Sequence, residues 1–310
     1  MTKTNCDTLL QIAPAISDVE DLQSTYIVNC VFNSFLCYTT TVLNIVTIYA
    51  IRKTSSLPKN LKTLLLSLAV SDLGVGILSE PSFIWLMVRW SRLKLLSCTA
   101  FNVFFFPVRL FAVTSYFTVV AISLDRFLAI HLHLRYQELV THKRVVAMVI
   151  SIWIFSLFTS SIYISHPRMV SAILTFIAVA CILATTFIYW RIYIVFRRHK
   201  EQIQALQSHE TQQAARNRNL VNFASLKKSV VGLFYVYLLF LICYLPRFIM
   251  FAARLIQGPH LDVKKSTIYS LTLVFLNSSL NPVIYCWKMR HIRHAIVDLL
   301  RDIARRCRTS

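Results

Sequence analysis

The chain has 310 residues, 56% of them hydrophobic and only 15% charged, with a formal net charge of +20. Its apolar residues come in long blocks nearly free of charge, which excludes a soluble globular domain, and its Lys and Arg lie between those blocks without any nucleic-acid motif, which excludes a nucleic-acid partner. None of the eight cysteines forms a CxxC pair, and HExxH, GxSxG and P-loop motifs are absent, so zinc, thiol-redox and common hydrolase chemistry find no support.

Residues 1–25 contain acids and no signal-peptide core. They read as an extracellular tail, with the first span acting as an uncleaved anchor. Seven apolar segments follow, at about 26–51, 61–88, 97–131, 145–165, 169–197, 229–255 and 266–287. About 20 helical residues cross the hydrocarbon, and a helix satisfies its own peptide groups in lipid. The expected fold is therefore an all-α membrane protein, a seven-transmembrane helix bundle. Lys and Arg concentrate after spans one, three, five and seven. The positive-inside bias then puts the N-terminus outside and the C-terminus in the cytosol.

The first span carries Asn44, and the second carries Asp72 in L-S-L-A-V-S-D-L and Glu80 just before Pro81. An ionised residue at mid-membrane costs roughly 2.5–3.5 kcal/mol on insertion scales, which makes Asp72 a functional candidate by default. Asn44, Ser115, Asn277, Ser278 and Asn281 could join it, offering oxygens to a small hard cation. Polar glue between helices is the alternative. The third span contains Pro107 and Arg109 and ends in Asp125-Arg126, by itself only a charged helix end. The outer link between spans four and five is short, around His166 to Arg168, whereas Arg197 to Lys228 forms one long polar loop. Pro246 and Pro282 interrupt spans six and seven, either as hinges or as tolerated kinks. Glu80, Arg109 and Arg247 are the outer-half charges. They read either as a ligand clamp with an anionic and a cationic end, or as an internal salt bridge and headgroup contacts.

After Trp287, in the 288–310 tail, Ile292, Ile296, Leu299, Leu300 and Ile303 recur at helical spacing among Arg and His. This is a basic amphipathic helix on the inner leaflet. Cys307, just beyond it, is a palmitoylation candidate or an ordinary reduced thiol.

In this order the residues resemble the rhodopsin-like (class A) G-protein-coupled receptors over nearly the whole chain. The resemblance is carried by L-A-V-S-D-L around Asp72, D-R-F-L-A-I at Asp125 to Ile130 and N-P-V-I-Y at Asn281 to Tyr285. Asn44, Trp153, Tyr189 and the C-Y-L-P stretch at Cys243 to Pro246 stand where the family has its own marks. The resemblance implies a sodium pocket at Asp72, Ser115, Asn277, Ser278 and Asn281, and no other cofactor. It implies that Asp125 and Arg126 serve coupling and activation, that Arg126 holds the inactive state and then helps receive a heterotrimeric G protein, and that Tyr189 and Tyr285 rearrange toward it. Leu134 would plug into Gα, and Tyr244, Pro246 and Pro282 would form the activation hinge. It implies a plasma-membrane receptor, not an enzyme, with an extracellular small-molecule, lipid or peptide ligand.

Several departures from the family accompany the match. Tyr244 replaces the usual toggle tryptophan, and D-R-F replaces D-R-Y. Lys227 and Lys228 stand at the foot of the sixth span near Leu226, where an acid would lock Arg126, so basal activity is expected. The short outer link between spans four and five holds no cysteine, so the family's bridge cannot form there. Cys98 is expected to be free, with pairing to Cys6 as the alternative. These features resemble the melanocortin, adenosine, cannabinoid and lysophospholipid receptors. Val108 at the acid position of aminergic receptors, and Phe275 at the retinal-attachment position, imply a ligand that is neither an amine nor retinal.

Overall fold

An apolar segment in lipid has no water to satisfy its peptide groups, so a long one coils upon itself. The computed structural model describes residues 18–309, apart from 56, 93, 95, 133, 134, 207–212 and 259, and no strand occurs among the described residues. Seven helices are long and apolar enough to cross a bilayer. They are α1 (Val19–Lys53), α2 (Lys59–Ser91), α3 (Cys98–His131), α4 (His142–Ser165), α5 (Pro167–Leu206), α6 (Gln213–Gln257) and α7 (Leu261–Lys288). A further helix, α8 (Arg290–Thr309), follows Met289. Residues 19–25, read above as tail, belong to α1.

Local chemistry sets several boundaries. Ser97 caps α3 by accepting from the Ala100 N–H at 3.3 Å, which satisfies one of the orphan donors of a first turn. Between α4 and α5 only His166 leaves the helical path, at φ −131° and ψ 61°. Pro167 causes this break, because it disfavours a helical residue before it while suiting the first position of a new helix. Inside α2, Val75–Ser79 forms a π-helical turn, closed by the Glu80 N–H donating to the Val75 carbonyl. Pro81 accounts for that turn: it brings no N–H, and its ring would collide with the carbonyl four residues back.

Packing separates inner from outer helices. Two-thirds of the apolar window of α7 is buried (67%), against 11% for α5. Leu61, Leu64, Leu65 and Leu68 of α2 pack with Ile122 of α3 and Tyr285 of α7 toward the Asp125 end. Toward the other end, Tyr26, Phe83, Trp90, Phe101 and Phe275 form a second core. Outward faces carry exposed Phe176, Leu183 and Ile242, an apolar surface that a bilayer covers. Ile292 of α8 is fully buried and joins the cluster that contains Ala50 and Ile51 of α1.

Lipid tails are as apolar as the side chains, so close approach and interhelical hydrogen bonds hold such helices together. Gly74 lets α2 meet α3: a Cβ there would lie 2.3 Å from the Phe111 ring. Asn33 donates to Thr272 at 2.9 Å and Thr272 to Asn29 at 2.7 Å, joining α1 to α7. Trp153 of α4 donates to Ser67 of α2 at 3.2 Å, and the Tyr116 hydroxyl of α3 donates to the Ala178 carbonyl of α5 at 2.5 Å.

One expectation fails. Cys98 is disulfide-bonded rather than free, whereas Cys30, Cys37, Cys181, Cys243 and Cys286 are free thiols. Cys6, the alternative partner considered above, lies outside the described residues.

Candidate functional site

Three groups of residues lie along the bundle axis, and the first surrounds Asp72. On α7, Asn277 and Asn281 are one helical turn apart and so share a face, with Ser278 beside them. All three are buried, as are Asp72 on α2, Ser115 on α3 and Asn44 on α1. The Ser115 hydroxyl donates to Asp72 Oδ1 at 3.3 Å and Asn281 Nδ2 to Asp72 Oδ2 at 2.8 Å. Ser278 lies close to Asp72, and Asn44 donates to the Ser278 carbonyl at 3.0 Å. Of the five residues expected to share a pocket, all are buried and three, Asp72, Ser115 and Asn281, are hydrogen-bonded together. Asn277 stands apart: both its Nδ2 and Oδ1 are buried without a partner, as is Asn281 Oδ1. Buried polar atoms of that kind require an ion or a water. A carboxylate, a hydroxyl and orphaned amide oxygens, with no sulfur or imidazole, suit a small hard cation.

The second group lies where α3 ends. Arg126 is buried, donates through Nε to Asp125 Oδ2 at 2.9 Å, and forms an ion pair with it through Nη2. Asp125 Oδ1 accepts from the Tyr136 hydroxyl at 2.6 Å. Tyr136 lies on a helical turn, Tyr136–Leu139, between α3 and α4. Asn60 at the start of α2 donates to that hydroxyl at 3.3 Å and to the Val140 carbonyl at 2.8 Å. Burial, and then the hydrogen bond to Asp125, push the Tyr136 phenol above its ordinary value. Sequence reasoning missed Tyr136 and Asn60; the available signal was a tyrosine in a short loop close after Asp125-Arg126. Tyr189 bonds Ser123 at 3.2 Å and stacks on Tyr237 at 5.0 Å. Tyr285 is buried, and its hydroxyl has no partner. Leu134 lies outside the described residues, as does the side chain of Cys307.

The third group forms a cavity of about 200 Å³ at the end opposite Asp125, between α3, α4, α5, α6 and α7. Arg109 and Arg247 border it; Glu80 does not. Instead Glu80 is fully buried and accepts from Thr40 of α1 at 3.2 Å. The π-helical turn changes the facing of the residues that follow it, Glu80 among them, so the two-ended clamp read from sequence is not assembled. Arg254, absent from the outer-half charges named from sequence, is a third arginine on the cavity wall. Its signal was spacing, since it sits two turns beyond Arg247 on the same face of α6. Tyr163 of α4 also lines the cavity and carries the Arg109 guanidinium over its ring at 4.2 Å.

Tyr244 joins the first and third groups. It lines the cavity, stacks on Phe240 at 4.2 Å, and donates to the Ala112 carbonyl at 3.4 Å, close to Ser115, the partner of Asp72. Pro246 follows it by two residues within the continuous helix α6, and Pro282 sits likewise inside α7.

Comparison with known proteins bears on this arrangement. Residues 43–171 and 160–285 match the model of a family described as 7 transmembrane receptor (rhodopsin family). The chain is 27% identical to the histamine H2 receptor of Canis lupus familiaris, over 76% of this chain and 69% of that receptor. It is 26% identical to the adenosine receptor A2b of Gallus gallus, over 86% and 85%, and 26% identical to the melanocortin receptor 5 of Homo sapiens, over 83% and 79%.

Proposed function

Since the chain belongs to the rhodopsin family of seven-transmembrane receptors, we propose that its arginine-lined cavity receives the ligand and that its Asp125-Arg126 end answers by opening to the G protein. Membership makes it a multi-pass receptor of the plasma membrane that couples an extracellular ligand to a heterotrimeric G protein. The finer assignments are ours. The N-terminus and the cavity face outward, while α8 and the Asp125-Arg126 end face the cytosol, in keeping with the Lys and Arg distribution. The observation that carries the reading is Tyr244, one side chain that borders the cavity and also bonds the Ala112 carbonyl of α3, close to Ser115, which holds Asp72.

A ligand shifts such a bundle only by its differential affinity for two arrangements. Pressure on Tyr244 alters how Ser115 meets Asp72, and α6 can bend at Pro246, where a backbone hydrogen bond is missing. The outward movement of α6 uncovers Arg126, which exchanges its Asp125 partner for the C-terminal helix of Gα; Tyr189 and Tyr285 turn toward it, and Leu134 enters Gα. Sodium would be held by Asp72, Ser115, Asn277, Ser278 and Asn281, where it supplies a positive charge that favours the resting arrangement. An amine ligand fits poorly, because among the described residues no Asp or Glu borders the cavity.

Nucleotide exchange on a panel of purified Gα subunits tests the reading, with full-length receptor in sodium chloride or choline chloride. Exchange above receptor-free vesicles is expected on at least one Gα, higher in choline, and Asp72→Asn should remove the sodium effect. No exchange on any Gα, together with an N-terminal epitope inaccessible on intact cells, would sink it.

A further inference from the structure

The cavity holds a charge that the protein does not balance. Arg109, Arg247 and Arg254 all border it, and among the described residues no Asp or Glu does. Among the described residues none of the three guanidiniums is ion-paired. Arg247 Nη1, Arg109 Nε and Arg254 Nε are buried without a hydrogen-bond partner, as is the hydroxyl of Ser160 on the same wall. Arg247 and Arg254 lie close enough on α6 for their charges to repel. Removing cations from water without a counter-charge is strongly unfavourable. Three of them around one cavity, each with an open donor, therefore call for an anion from outside the chain.

The remaining wall restricts that anion further. Phe105, Phe117, Phe248 and Leu271 line the same space, so a small inorganic ion would leave an apolar surface unfilled. We propose that the cavity takes an amphipathic anion, whose carboxylate or phosphate head meets Arg247 and Arg254 while its apolar body lies along the phenylalanines. The planar fork of arginine suits such heads bidentately. Arg109, steadied over Tyr163 and donating to the Asn102 carbonyl at 3.4 Å, supplies a third cationic contact. This inference rests on the cavity being the receptor's ligand site, and the head can come from a diffusible amphiphile or from a bilayer lipid.

The test is a thermal-shift series on full-length receptor in phosphatidylcholine nanodiscs, with decanoate, decyl phosphate, decanol and decylamine as probes. Both anions should raise the melting midpoint saturably, and decanol and decylamine should not. Arg247→Gln should weaken the apparent decanoate affinity by roughly tenfold, the effect of one charge-assisted hydrogen bond, with partial recovery in Arg247→Lys. Arg254→Gln is the second variant should the first not fold. A midpoint raised by phosphatidylglycerol discs alone, and lowered again by these substitutions, assigns the same anion site to a bilayer lipid. Equal stabilisation by decanol and decanoate, or an anion preference untouched by either substitution, overturns the proposal. Gα exchange measured in parallel keeps the two readings apart: anion binding without exchange sinks the coupling, whereas exchange without head-group preference sinks the ligand class.

Discussion

The Tyr136 hydroxyl ties a loop to the end of a membrane helix. It donates to Asp125 at 2.6 Å and accepts from Asn60 at 3.3 Å, linking α2, α3 and the turn before α4. Tyr136→Phe deletes the donor and leaves Asp125 Oδ1 short of a partner, which should destabilise the purified receptor by about 1–2 kcal/mol. The pH dependence follows from the raised phenol. A raised folded-state value means that the protonated donor is favoured, so its contribution is complete below the ordinary tyrosine value near 10.0 and fades as pH climbs past the raised one. Melting midpoints of the two proteins should therefore differ by a constant amount between about pH 6 and 8 and converge only in strong alkali. A gap that closes near neutral pH would refute the assignment. Asp72 was readable as a residue because a carboxylate at mid-membrane is costly whatever surrounds it. Tyr136 was not, since an interfacial tyrosine is ordinary until its partner is seen.

Helix α2 owes its course to a conflict between proline and glycine. Pro81 forces the π-helical turn Val75–Ser79, and Gly74, just before it, opens the space that the Phe111 ring fills. A Cβ on Gly74 would come within 2.3, 2.4 and 2.7 Å of three ring atoms. That ring has little room to retreat, being buried against Trp153 of α4. Gly74→Ala should accordingly destabilise the bundle by about 1–3 kcal/mol through overpacking, despite the better helix propensity of alanine. Phe111→Leu should recover much of the loss, and thermal denaturation of the single and double variants checks the coupling. Proline marked a disturbance in the apolar pattern, yet periodicity alone could not place it. The extra residue of a π turn re-aims Glu80 toward α1, and only a neighbouring helix reveals that change.

At the scale of the whole bundle, the proposed opening at the Asp125-Arg126 end depends on few contacts. Arg126 pairs with its neighbour Asp125 on α3, and the foot of α6 offers Lys227 and Lys228 in sequence rather than an acid. Lys227→Glu would introduce the missing counter-charge there. An ion pair worth about 1 kcal/mol shifts a two-state population roughly fivefold, so agonist-free exchange should fall about that much. An unchanged basal rate at equal receptor density would rule the electrostatic account out. The relatives named above are histamine, adenosine and melanocortin receptors, so the shared fold does not fix the ligand.

By itself the sequence determined the seven apolar spans, the tail helix and the polar residues that lipid would not tolerate without cause. These are consequences of composition and period: hydrocarbon penalises every unpaired peptide group and charge along the chain, so the pattern is legible one residue at a time. Tertiary structure alone decided that Glu80 leaves the cavity, that Arg254 joins it, and that Tyr244 reaches both the cavity wall and the α3 backbone at Ala112. Each depends on the rotation of one helix against its neighbours, which close packing sets between segments far apart in the chain.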